Sequence, residues 1–70
     1  MWNEIAKYDV IRVVYDFHNE ERIVTGEVTN LTNMSVVVRD DNGAYHLIMK
    51  DQLVDLGHVS YADRSEVYRH

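Results

Sequence analysis

Four histidines and twelve acids are the side chains best suited to chemistry in this 70-residue chain, which has no cysteine. His18, His46, His58 and His70 fall at no metal-ligand spacing such as His-x-x-x-His. A zinc site would need three or four ligands converging from separate segments, so the histidines read as surface or edge residues. Ser35, Ser60 and Ser65 sit in no strand-to-helix elbow that would expose a nucleophile. The three glycines are scattered and form no phosphate-cradling loop. Asp40 and Asp41 could serve as an acid–base pair, but beside Asn42-Gly43 they read as turn formers. The expectation is a protein that is not an enzyme, with no catalytic, metal-binding or cofactor-binding residue.

The acids are more informative as a set. The formal net charge is −5. Residues 16–41 hold six of the twelve acids against only Arg22 and Arg39. Binding a phosphate backbone takes a stripe of Lys and Arg that releases counterions. No such stripe exists, so direct binding of nucleic acid is not expected. A basic protein is the natural partner. Asp16, Glu20, Glu21, Glu27, Asp40, Asp41, Asp51 and Asp55 are the candidate partner-binding residues. The plainer reading is a solvated face that keeps the domain soluble. Tyr8, Tyr15, Phe17 and Tyr45 could stack bases, but their neighbours are acids, which favours core or rim packing.

The elements that would position these side chains are strands. Met34–Met49 reads as a β-hairpin, because two β-branched and apolar runs flank Asp41-Asn42-Gly43. Asn-Gly is the strongest short-range hairpin signal and predicts a type I′ turn. Asp9–Phe17 alternates, with Ile11, Val13, Tyr15 and Phe17 on one face. His18–Glu21 reads as a polar loop. Arg22–Asn30 is a second strand with Val24, Gly26 and Val28 on one face, and Gly26 marks a bulge or sharp bend. Met34, Val36 and Val38 are predicted to point inward from the third strand. Tyr45, Leu47 and Met49 share one face of the fourth, and Ala44, His46 and Ile48 the other. Lys50–Leu53 reads as a helical or 3-10 turn before a fifth strand, Val54–Val59. Asn3 is a candidate N-cap for a helical turn within residues 1–8. The prediction is one domain over 1–59 and a polar, flexible tail over 60–70. No apolar run approaches the roughly 20 residues of a membrane span, and no signal peptide is recognised. A cytoplasmic location is the default.

Five short strands with tight turns and one helical turn before the last suggest a mainly β, small five-stranded barrel. VIRVVYDF, RIVTGEVTN, SVVVRD, the DNG turn and KDQL before VDLGHV together resemble the SH3-like barrels. The short loops look like the KOW, Sm and Tudor branches, which implies a module that joins RNA, transcription complexes or proteins. Small size, negative charge and absence of cysteine are also similar to phage-encoded acidic DNA mimics that block the histone-like HU protein. That second resemblance implies a phage inhibitor acting in the host cytoplasm or nucleoid, where it occludes a basic DNA-binding surface. The alternative functions are an Sm/KOW-like module in an RNA or transcription complex, or a structural assembly subunit.

Overall fold

The computed structural model describes residues 4–62. Five strands follow in order: β1 (Val10–Phe17), β2 (Glu20–Leu31), β3 (Ser35–Arg39), β4 (Tyr45–Met49) and β5 (Leu53–Ser60). A 3-10 turn, Lys50–Gln52, precedes β5. All neighbours are antiparallel and form one open sheet in the order β4-β3-β2-β1-β5. The two edge strands do not pair with each other.

The alternation read from sequence sets the core. Ile11, Val13 and Tyr15 from β1, Val24 and Val28 from β2, Val36 and Val38 from β3, and Ile48 from β4 pack into one buried cluster. Ile5, from the chain ahead of β1, joins them. Each fully buried aliphatic contributes about 1.5–3 kcal/mol of transfer free energy. Inverting the face of β1, β2 or β3 would turn charged side chains such as Arg12, Glu27 and Arg39 into this core.

Gly26 belongs to that packing. β2 pairs with β1 along Glu20–Glu27 and with β3 from Glu27 onward, so Gly26 lies at the handover. A Cβ at Gly26 would lie 2.1 Å from the Arg39 carbonyl oxygen and 2.9 Å from a Val38 methyl. Only glycine lets β3 approach this closely. The β2–β3 register shift falls further on, between Val28 and Asn30.

The structure corrects five expectations. The type I′ turn is in the wrong place. Asn42 does not take positive φ; Gly43 does, at 83°. Asp40 and Ala44 close a three-residue loop, with Gly43 N–H donating to Asp40 O at 3.0 Å and Asp40 N–H to Ala44 O at 2.9 Å. A type I turn followed by a left-handed glycine produces that pattern. The two-residue turn with paired positive φ is instead His18-Asn19, at 50° and 64°, between the paired residues Phe17 and Glu20. The second strand therefore starts at Glu20 rather than Arg22.

Next, Met34 is exposed at 59%. It precedes β3, and its carbonyl accepts from Lys50 N–H at 2.7 Å. Phe17 is likewise outside the core, because it sits at the hairpin end with the Arg22 guanidinium 4.8 Å from its ring centroid. Lastly, residues 5–8 carry no helical turn; of the described part of that segment only Glu4 is 3-10 in form. Lys7 and Tyr8 form a turn in which Tyr8 takes φ of 77° and donates its N–H to Val28 O at 2.7 Å. That bond ties the segment to β2 and replaces helical hydrogen bonding. Residues 1–3 and 63–70 lie outside the described residues, so the N-cap at Asn3 and most of the predicted tail do too. Tyr61 and Ala62 are tied down, as described below.

Candidate protein-binding surface

Every one of the eight candidate acids lies outside the core, and only Glu27 and Asp40 are half-buried. The strands divide them into groups. In β1 and β2 the inward residues are Tyr15 and Val24, so Asp16, Glu21 and Ile23 take the opposite face. Asp16 stands directly across from Glu21 in the β1–β2 ladder. One row along, Val14 is flanked by Ile23 on β2 and Asp55 on β5. Three carboxylates thus surround an apolar centre in which Ile23 is 59% exposed. Asp16, Glu21 and Asp55 have no ion pair among the described residues. Like charges directly opposite in a ladder destabilise it. Arg12, between Thr25 and Gly57 in the following row, bounds the patch. Glu20, at the hairpin turn, is engaged by Arg22 at 3.3 Å.

The second group is Glu27, Asp40 and Asp41. Together with Val10, Gly26, Arg39 and Gly43 they line an open cavity of about 410 Å³. Arg39 stands across from Glu27 and bonds it at 3.3 Å, an exposed pair of small energetic weight. Asp40 is committed to its own loop. Its Oδ1 accepts from Asn42 N–H at 2.9 Å and Ala44 N–H at 3.0 Å, and its Oδ2 from His46 Nε2–H at 2.7 Å. These bonds, the one from His46 first, hold its carboxyl below the ordinary aspartate value. Asp41 points to solvent. Asp51 sits apart in the 3-10 turn. Glu21 and Glu27 are six residues apart on β2, about 20 Å along an extended strand, so the two groups are separate surfaces.

A buried polar centre escaped the sequence reading. Asp9 is fully buried. Its Oδ2 accepts from Ala6 N–H at 3.0 Å and His58 Nε2–H at 3.0 Å, and its Oδ1 from Ala62 N–H at 2.7 Å. The His58 ring stacks on Tyr61 with centroids 4.1 Å apart. Asp9 therefore joins the chain before β1 to the chain after β5. No local signal could have revealed this link, because of these three partners only Ala6 is local, while His58 and Ala62 lie 49 and 53 residues away in sequence. His46 and His58 both serve a carboxylate, while His18 lies exposed at the turn. His70 is outside the described residues. No group of three His, Asp or Glu side chains suited to a metal occurs among the described residues. No described helix is long and apolar enough to cross a membrane. Compared with known protein families and with curated proteins, the chain matches none.

Proposed function

We propose that this protein is a non-enzymatic, acidic protein-binding module that covers the basic surface of a nucleic-acid-binding protein. One observation carries the reading: Asp16, Glu21 and Asp55 share a face around exposed Ile23 without ion pairs among the described residues. A sheet holds such carboxylates at fixed cross-strand and along-strand spacings, near 5 and 7 Å. A rigid array of negative charge with an apolar centre suits a cationic cleft. Its role in that cleft is to stand in for phosphates and exclude DNA. Long-range attraction would speed the encounter. In its most specific form the module is an SH3-like, phage-encoded DNA mimic directed at an HU-like host protein. The strand count, the tight turns and the 3-10 turn before β5 support the SH3-like reading.

The test is capture of basic DNA-binding proteins from bacterial lysate, followed by titration of the captured protein at two salt concentrations with DNA as competitor. Reversing Asp16, Glu21 and Asp55 together to Lys should weaken binding at least about tenfold and flatten its salt dependence. Reversing Asp41 and Asp51 should change it much less. Binding that ignores salt and every reversal would sink the mimic reading. A gel shift of RNA or DNA by the protein alone would favour the Sm/KOW-like alternative.

A further inference from the structure

β4 is an edge of the sheet, paired with β3 on one side and with no described strand on the other. Two hydrogen bonds fix the phase of its ladder. Asp40 N–H donates to Ala44 O, and Lys50 N–H donates to Met34 O. Antiparallel ladders alternate, so the main-chain groups of His46 and Ile48 face β3. Those of Tyr45, Leu47 and Met49 face outward. The side chains of the same three residues line one face, with Tyr45 65%, Leu47 61% and Met49 39% exposed. One outward group is occupied, since Met49 N–H donates to Gln52 Oε1 at 2.9 Å.

Natural edge strands resist pairing with a proline, a charged side chain or a bulge. β4 has none of these; its sequence is YHLIM and its register with β3 is unbroken. The opposite edge is defended. β5 carries Asp55 and two register shifts against β1.

We propose that β4 pairs antiparallel with β4 of a second copy of this chain, about a two-fold axis at Leu47. In that register Leu47 exchanges both main-chain bonds with Leu47 of the partner subunit, and Tyr45 lies against Met49 of the partner subunit. Six exposed apolar side chains then cover one another in a continuous row. Charge fixes the direction. Lys50 at one end of β4 meets the turn of the partner subunit that carries exposed Asp41. Parallel pairing would instead set one acidic turn against the other. The contact is isologous and closes at two copies.

Sedimentation of the full chain, up to near-millimolar concentration, tests the proposal. A concentration-dependent dimer is expected. Leu47→Lys should raise its dissociation constant about tenfold or more, with the circular dichroism and melting temperature of the monomer preserved because Leu47 lies outside the core. Asp41→Lys and Lys50→Asp should each weaken the dimer, and the double variant should restore it. A monomer throughout the concentration range would overturn the proposal. A dimer indifferent to Leu47→Lys would do the same, and so would assembly beyond two copies. None of these outcomes depends on the partner proposed above.

Discussion

Asp9 shows how much one side chain can decide. A carboxylate without solvent exposure is costly unless donors surround it, and here two main-chain N–H groups and the His58 ring do so. Asp9→Ala would strand those donors in a buried site. The expected loss is roughly 2–4 kcal/mol, since each unsatisfied buried group costs about 1–3 kcal/mol with partial relaxation. Asp9→Asn keeps one acceptor oxygen and should recover part of that loss. Urea unfolding of the two variants measures both effects. A cost for Asp9→Ala below about 1 kcal/mol would mean that the segments flanking β1 and β5 are held by other contacts. The same centre changes the meaning of His58, which reads in sequence as a surface or edge residue and sits in the structure as a structural donor.

At the scale of the element, the β3–β4 hairpin depends on Asp40 as well as on Gly43. The carboxylate organises the turn by accepting from Asn42, Ala44 and His46. Because those bonds favour the charged form, its folded-state pKa lies below the ordinary value of 3.8. The sign follows from linkage. This contribution to stability is complete above the unfolded value and is lost as pH falls through the lower folded one. Amide exchange at Asn42 and Ala44 should therefore accelerate in strongly acidic solution and stay protected in mildly acidic solution. Asp40→Asn should remove that acid limb. Equal acid sensitivity in the variant would place the titrating group elsewhere. The β1–β2 turn is built differently. His18 and Asn19 both occupy the left-handed region, where asparagine is tolerated and histidine is enriched.

For the whole molecule, net charge and sheet packing work against each other. A charge of −5 on 70 residues repels itself, and the facing pair Asp16 and Glu21 concentrates that repulsion in one ladder. Added salt should raise the melting temperature by screening it. Glu21→Lys should raise the melting temperature at low salt and reduce the salt dependence. Thermal melts across ionic strength, with and without the substitution, measure this. A variant less stable than the parent would show that the Glu21 carboxylate is not a strained element. A stabilising Glu21→Lys that also abolishes partner binding would display the trade between stability and function expected of a binding surface.

The sequence alone determined which residues form strands and which face of β1 and β2 is buried, because period-two alternation is a local property of the chain. The five strands and the inward residues Ile11, Val13, Tyr15, Val24, Val28, Val36 and Val38 were legible in this way, whereas the buried face of β4 was left open and Gly26 read as a bend, where the structure shows a close approach of β3. That the eight acids lie outside the core was equally legible, since unpaired charge does not enter a small apolar core. Turn type was not, because Asn42-Gly43 fits more than one loop, and the hydrogen bonds of Asp40 selected the three-residue form. Only the tertiary structure decided which acids share a face. Cross-strand register brings Asp16, Glu21 and Asp55 together and leaves Glu27 and Asp41 around a different cavity. It also brought Asp9 to His58 and left β4 as an undefended edge, because these depend on how strands distant in sequence line up, and no local pattern encodes that.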